Sequence, residues 1–192
     1  MSTDLAIFGG EPIRKEPFPA WPRITEEMKN SLIHTFEEEE WGVGSKTITL
    51  FNEQFATMQD AKYCLSIHSG TSAIWICLKA AGIEAGDEVI LPSYTFIATA
   101  TAVVLANAVP VFADIDKKTA NLDPTSVEKL ITKKTKAIIP VHTAGAPADM
   151  KAFLDISKKY NIPIIEDAAQ GHGSMIDNKK VGAIGIGGIF SF

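Results

Sequence analysis

A carboxylate that directly follows a buried strand raises the first chemical question in this sequence of 192 residues. The segment Glu-Asp-Ala-Ala-Gln at 166–170 comes straight after the apolar run at 162–165. Burying the carboxylate of Asp167 there is costly unless a cationic group pairs with it. A protonated pyridine nitrogen is one such partner. Taken alone, the residue is better explained as a helix cap or a solvated loop acid.

A glycine and two hydroxyl residues form the second candidate, a phosphate site. The segment at 68–73, His-Ser-Gly-Thr-Ser-Ala, leaves a predicted strand and opens a predicted helix. Free N–H groups and the helix dipole favour an anion at such a position, and the hydroxyls of Thr71 and Ser72 add donors. An ordinary helix N-cap accounts for the same residues, so this motif alone leaves both interpretations open.

Two further strand ends carry ring side chains. Phe96 follows a predicted strand and can either stack on a flat ligand or pack in the core. His142 ends another predicted strand, where a histidine approaches a ligand or satisfies a turn. Cys64 and Cys77 lack the spacing of metal ligands, so we predict no metal site and interpret both as small buried residues without a disulfide.

Strand and helix patterns alternate along most of the chain, and these elements must position the four motifs. Strands are predicted at 62–67, 88–91, 109–113, 136–141 and 162–166, with helices at 72–81, 95–106, 124–131 and 147–160. The alternation predicts an α/β fold with a mostly parallel sheet and helices on both faces. Ligands of such sheets bind at the carboxyl ends of the strands, where the motifs lie. The glycines after residue 171 predict hairpins.

The beginning of the chain has a different character. Four prolines predict an extended arm over residues 1–23, ahead of a domain that comprises residues 24–192. Thr25 is predicted to cap a helix that ends near Glu40, and Ser45 is predicted to cap the next helix.

Composition excludes several kinds of partner. The net charge is −5 without a basic cluster, which argues against nucleic acid. The longest mostly apolar stretch, 96–112, is too short and too interrupted to span a bilayer, and the first residues lack a signal-peptide pattern. We therefore predict a cytoplasmic protein that binds neither membranes nor nucleic acid.

Together the motifs resemble the DegT/DnrJ/EryC1/StrS family of sugar aminotransferases, which depend on pyridoxal 5'-phosphate (PLP). The resemblance rests on Leu-Ala-Ile-Phe-Gly-Gly-Glu-Pro at 5–12, Ser-Gly-Thr-Ser-Ala at 69–73, Gly-Asp-Glu-Val-Ile at 86–90, Pro-Ser-Tyr-Thr-Phe at 92–96, Pro-Val-His at 140–142, Glu-Asp-Ala-Ala-Gln at 166–170 and Phe-Ser-Phe at 190–192. It implies the large domain of PLP-dependent transferase fold type I, here truncated and without the small C-terminal domain. It also implies a homodimer at full length.

The resemblance implies a role for each matching residue. The phosphate of the cofactor would be held by Gly70, Thr71, Ser72 and Ser191. The ring would be stacked by Phe96, paired at its nitrogen with Asp167 and hydrogen-bonded at its phenolic oxygen by Gln170. His142, as a catalytic candidate, and His172 would contact the substrate. A pyridinium held by a carboxylate withdraws electrons from the reacting carbon.

The implied reaction moves an amino group from glutamate or glutamine to a keto-sugar or keto-cyclitol. The family's Schiff-base lysine lies just past the motif at 190–192, where this chain ends, so we expect a fragment that is inactive alone. A sugar dehydratase of the same family, with histidine in place of the lysine, and a non-catalytic cofactor-binding module are alternatives. A dinucleotide-binding domain fits poorly because 69–72 lacks repeated glycines.

Overall fold

The structure, a computed structural model, describes residues 5–39 and 41–192. The chain forms two compact units, Met1–Thr47 and Ile48–Phe192. The first unit therefore contains the predicted arm together with the helix that follows it. The first four residues of that arm lie outside the described part of the chain.

In the first unit, a short 3₁₀ helix (Ala6–Phe8) precedes α1 (Glu26–Glu37). The hydroxyl of Thr25 accepts a hydrogen bond from the N–H of Met28 at 3.2 Å, which confirms the predicted cap. Glu26 and Glu27 follow in the first turn, where the helix dipole favours acids. The predicted helix end, Glu40, lies outside the described residues.

The second unit alternates helices and strands from α3 to β4, after which three more strands follow. Its helices are α2 (Lys46–Met58), α3 (Gly70–Ala80), α4 (Ala98–Leu105), α5 (Pro124–Leu130) and α6 (Met150–Tyr160). Its strands are β1 (Glu88–Pro92), β2 (Val109–Ala113), β3 (Thr135–Ile138), β4 (Ile165–Asp167), β5 (Met175–Ile176), β6 (Lys179–Lys180) and β7 (Gly187–Ile189).

The sheet is parallel, as predicted. Strand β1 lies between β2 and β3, and β4 pairs with β7. Parallel bridges from Ile138 to Ile164 and from Val141 to Asp167 join the two groups of strands. The strand order is therefore β2-β1-β3-β4-β7. After β1 the chain adds β2 on one side and then β3 on the other, so the strand order reverses between β1 and β3. Ligands of α/β sheets bind outside the carboxyl ends of the strands at such a switch point.

Both faces of the sheet are buried. Val89 and Leu91 of β1 pack with the apolar residues of α3 and α4, whereas Ile90 packs on the other face with those of α5 and α6. All three side chains are inaccessible to solvent. Because successive side chains of a strand point to opposite faces, a continuous apolar run fits a strand that is covered twice. The predicted arrangement of helices on both faces is confirmed.

The predicted strand at 62–67 is wrong. Within the described residues, this segment pairs with no other strand, although Ser66 donates a side-chain hydrogen bond to Asn52 of α2. A ladder needs a neighbour for its backbone groups, which local propensity does not supply. Instead, the segment lines a cavity of ≈ 640 Å³ together with β7.

The glycine-rich end is only partly as predicted. Strands β5 and β6 form the expected antiparallel hairpin. The following strand, β7, was predicted as hairpin but joins the parallel sheet beside β4. Gly185 explains this close approach, because a Cβ at that position would lie 2.4 Å from the carbonyl oxygen of Ile164.

Within the described residues, none of the helices is long and apolar enough to cross a membrane, and no cluster of potential metal ligands is present. Cys64 and Cys77 are free thiols. Both are half-buried rather than buried as predicted, and burial raises the pKa of each thiol.

Candidate functional site

The start of α3 combines an N-cap with unused donors. The hydroxyl of Ser69 accepts a hydrogen bond from the N–H of Ser72 at 3.2 Å, so the ordinary capping interpretation holds. It satisfies only one of the free N–H groups at this end. Among the described residues, the N–H groups of Gly70 and Thr71 and the hydroxyl of Thr71 have no hydrogen-bond partner. Capping and anion binding are therefore compatible at this helix.

Ser72 is also tied to a residue that the sequence analysis assigned no role. Its hydroxyl lies 2.7 Å from Nε2 of His68 and 3.1 Å from the hydroxyl of Ser69. His68 precedes the helix, and its distance of four residues from Ser72 is the signal that sequence offered for this contact.

Ser191 approaches the same helix start from the far end of the chain. A Cβ built on Gly70 would lie 3.1 Å from Cβ and 3.3 Å from Oγ of Ser191. Such spacing is tight for a methyl group, so the serine occupies the space that a larger residue at position 70 would need. The structure thus brings two of the predicted phosphate ligands together.

Asp167 ends β4 in a nearly dry environment. The hydroxyl of Thr99 donates to its Oδ2 at 2.7 Å, and the N–H of Ala169 donates to its Oδ1 at 3.2 Å. Burial raises the pKa of Asp167, although these two hydrogen bonds and the nearby His142 ring act in the opposite direction. No lysine or arginine within the described part of the chain forms an ion pair with it.

Glu166 occupies the preceding position and holds a loop. Its Oε1 accepts hydrogen bonds from the N–H groups of Ile184 and Gly185, and its Oε2 accepts one from Gly182, each at 2.7 Å. Burial opposes the charged form, but the bonds from the His142 ring and the backbone outweigh that effect and lower the pKa of Glu166.

His142 lies within this buried network rather than on an open surface. Its Nε2 is 3.1 Å from Oε2 of Glu166, and its Nδ1 accepts a hydrogen bond from the N–H of Ala148 at 3.1 Å. The ring proton therefore sits on Nε2. The ring has 0% exposure, and both of its nitrogens are engaged by protein groups. This geometry fits a structural role better than the predicted catalytic one.

Gln170 and Phe96 are both exposed; Phe96 follows β1 and Gln170 follows β4, with β3 between the two strands. Oε1 of Gln170 accepts a hydrogen bond from the N–H of Ala144 at 2.6 Å, which leaves its amide nitrogen available to a ligand. Phe96 is 74% exposed, so it does not pack in the core. His172 instead packs on aromatic rings, with centroids 5.3 Å from Phe190 and 4.9 Å from Phe192.

The predicted site residues divide into two groups. Gly70 and Ser191 line the cavity of ≈ 640 Å³, whereas Phe96, Asp167 and Gln170 do not. The sheet nevertheless connects the groups, because Asp167 is paired in register with Ile189, two residues before Ser191. Standard strand spacing places the Cα atoms of Asp167 and Ser191 no more than about 12 Å apart. The backbone positions of Asp167 and Ser191 are therefore close to each other.

Sequence reasoning missed three polar residues that support this site. Thr99 binds Asp167, Glu166 binds the loop at 182–185, and Asn121 holds the turn after β3 through Thr143 and Ala146. Glu166 carried a usable signal, since a charge next to a buried strand requires partners. The other two have short polar side chains whose partners are distant in sequence.

Among the described residues, this parallel sheet has free hydrogen-bond donors at one helix start and a buried acid at a strand end. It is the large domain of PLP-dependent transferase fold type I. The solved structure of 3-amino-5-hydroxybenzoic acid synthase matches it with a TM-score of 0.88 and 38% identity, over 92% of this chain and 46% of that protein. An aminotransferase from Psychrobacter cryohalolentis matches with a TM-score of 0.84 and 38% identity, over 88% and 43%.

The chain belongs to the DegT/DnrJ/EryC1/StrS aminotransferase family, which matches residues 22–192. The L-glutamine:2-deoxy-scyllo-inosose aminotransferase of Streptomyces kanamyceticus is 40% identical over 99% of this chain and 46% of its own length. The protein of the same name from Micromonospora echinospora is 38% identical over 98% and 46%. The chain thus spans about half the length of the curated relatives it matches.

Proposed function

We propose that this chain is the cofactor-binding part of a PLP-dependent aminotransferase that acts on a keto-cyclitol or keto-sugar. The observation that carries the proposal is the buried carboxylate of Asp167. Within the described residues it receives two hydrogen bonds, both from uncharged groups, and burial raises its pKa. A carboxylate has about four acceptor positions, so it retains capacity for a cationic partner. A protonated ring nitrogen would supply both a positive charge for the buried carboxylate and a donor for its remaining acceptor positions.

The remaining residues fit the other parts of the same cofactor. The N–H groups of Gly70 and Thr71, which have no partner among the described residues, would hold a phosphate at the start of α3 together with the hydroxyl of Ser191. The available amide of Gln170 would donate to the phenolic oxygen, and the exposed ring of Phe96 would cover one face. Bound there, PLP supplies an electron-withdrawing ring.

Thr99 has a specific part in this proposal. Its hydroxyl donates to Asp167 and lies 2.8 Å from the hydroxyl of Thr95, so it orients the carboxylate from α4. An oriented carboxylate loses less freedom when a cation binds. We therefore propose that Thr99 orients the carboxylate of Asp167 toward the ring nitrogen.

The substrates follow from the relatives. Two of them are named as aminotransferases that use L-glutamine and a scyllo-inosose. We propose L-glutamine as the amino donor and a keto-cyclitol as the acceptor for the protein of which this chain forms a part. A cytoplasmic homodimer, without membrane or nucleic-acid partners, completes the proposal.

Binding of pyridoxamine 5'-phosphate (PMP), the form of the cofactor that carries an amino group, tests the proposal on this chain. We expect saturable quenching of PMP fluorescence by the purified chain and a loss of at least about tenfold in affinity in D167A. E128Q is a matched control, because Glu128 is a surface acid that pairs with Lys159. An unmodified chain that does not bind PMP, or a D167A variant that binds as well as E128Q, would contradict the proposal.

A further inference from the structure

Glu166 is a buried carboxylate that the proposed cofactor contacts do not use. It has 0% exposure, and four donors converge on it: three backbone N–H groups from the loop at 182–185 and Nε2 of His142. These donors fill the acceptor capacity of a carboxylate. An amide side chain in its place offers a single oxygen and adds two hydrogens, so it cannot accept all four bonds.

The loop that Glu166 holds has little room to rearrange. Gly182 has a φ of 85°, and a Cβ at Gly188 would lie 2.2 Å from the carbonyl oxygen of Gly182. The loop therefore folds tightly on the strand that follows it. Without the carboxylate, its three N–H groups would lose their acceptor in a buried environment, which is costly.

That loop leads directly to the phosphate side of the proposed site. It continues into β7, whose register with β4 runs from the Ile165–Gly187 pair to the Asp167–Ile189 pair. The N–H of Ala168 then donates to the carbonyl of Ile189 at 2.9 Å, and Ser191 follows against Gly70. The position of Ser191 thus depends on a segment whose beginning is fixed by Glu166.

We propose that Glu166 is a positioning residue for the phosphate end of the cofactor site: by holding the loop at 182–185, it places Ser191 at the start of α3. The inference rests on the proposed function. His142 supports Glu166 from the other side, because its ring bridges the Glu166 carboxylate and the N–H of Ala148 after β3. Glu166 and Asp167, adjacent on β4, then serve opposite ends of one ligand.

The test compares E166Q with the unmodified chain and with E128Q in two measurements. Hydrogen–deuterium exchange followed by mass spectrometry reports on the loop without any cofactor. We expect exchange in peptides covering 182–189 to be about tenfold faster in E166Q, with the helices unchanged. The second measurement is the ratio of the affinity for PMP to that for pyridoxamine, which lacks the phosphate. We expect E166Q to lower this ratio about tenfold and E128Q to leave it unchanged.

Unchanged exchange at 182–189 overturns the inference, and so does equally faster exchange throughout the chain. An equal loss of affinity for PMP and pyridoxamine would also overturn the inference, because it would mean that Glu166 stabilises the fold in general and does not act on the phosphate end. An unmodified chain that binds no PMP refutes the proposed function, whereas the exchange result still decides whether Glu166 holds the loop. If E166Q does not fold, H142N removes only one of the four contacts, and the same two measurements apply with a smaller expected effect.

Discussion

Gly70 and Ser191 meet where α3 begins, although most of the chain separates them in sequence. The Cα of Gly70 faces the serine so closely that a Cβ there would lie 3.1 Å from Cβ of Ser191. A helix start and the end of the chain thus form one corner of the proposed site. The absence of a side chain at position 70 is what permits this contact.

We expect G70A to displace Ser191 and to weaken PMP binding about tenfold, because the added methyl group competes for the space of the serine. Isothermal titration of G70A, S191A and the double variant measures this effect. If the alanine acts through the serine, the two losses will not add, since the serine hydroxyl is already absent in the double variant. Strictly additive losses would show that position 70 acts independently of Ser191.

We expect D167N to stabilise the cofactor-free chain at neutral pH. The folded pKa of Asp167 lies above the unfolded value of 3.8 because of burial, so the stability that this group contributes is present below that value and is lost as the pH rises through the folded pKa. Asparagine does not ionise and avoids the loss, on the order of 1 kcal/mol. Urea unfolding of both proteins between about pH 4 and about pH 7 measures the difference.

The same variant should bind PMP at least about tenfold more weakly, because the cationic ring loses its partner. For the stability measurement, D116N is a control with the opposite expected sign. Hydrogen bonds from Thr119 and Lys118 lower the pKa of Asp116, so its ionised form stabilises the fold at neutral pH and the substitution removes that contribution. A D167N protein that is less stable than the parent across the whole pH range would contradict the assignment of Asp167 as a buried acid that awaits a cation.

We expect F96A to change the free energy of unfolding by less than about 0.5 kcal/mol, because Phe96 is 74% exposed. PMP affinity should fall about two- to tenfold through the loss of ring stacking. F112A is a matched control on β2, where the side chain is 53% exposed. Equal PMP affinities in the two variants would remove Phe96 from the site.

Local sequence signals predicted most of the elements but not every pairing. Thr25 caps α1, and the apolar run of β1 is buried on both sides, because caps and burial patterns depend on residues close in sequence. The segment at 62–67 has the composition of a strand, yet it has no strand partner among the described residues. Pairing depends on distant residues, so composition alone could not settle it.

The surroundings of the candidate site residues could be read from the sequence only in part. The apolar run before Asp167 left a buried acid and a solvated loop acid as alternatives, and the structure places the residue in a buried position. The engagement of both nitrogens of His142 did not follow, because one partner is a backbone N–H in a later turn and the other is Glu166. A histidine at a strand end looks the same in sequence whether it faces a ligand or a buried carboxylate.

Gln170 permits a test that separates its two polar atoms. Its oxygen accepts a hydrogen bond from the N–H of Ala144 at 2.6 Å, so only the amide nitrogen is available to the phenolic oxygen of the cofactor. Q170E keeps an acceptor for Ala144 and replaces the donor by a negatively charged oxygen. We therefore expect Q170E to fold normally, with unchanged exchange at 143–146, and to bind PMP about tenfold more weakly.

Q170A is the companion variant, since it removes both atoms. It should speed exchange at the N–H of Ala144 and weaken PMP binding less than Q170E does, because alanine loses the donor without placing a negative charge beside the phenolic oxygen. Titration calorimetry and hydrogen exchange on the same samples provide both measurements. Equal PMP affinities in Q170E and the parent chain would show that the amide nitrogen has no part in cofactor binding, which would leave Gln170 only the task of holding the turn at Ala144.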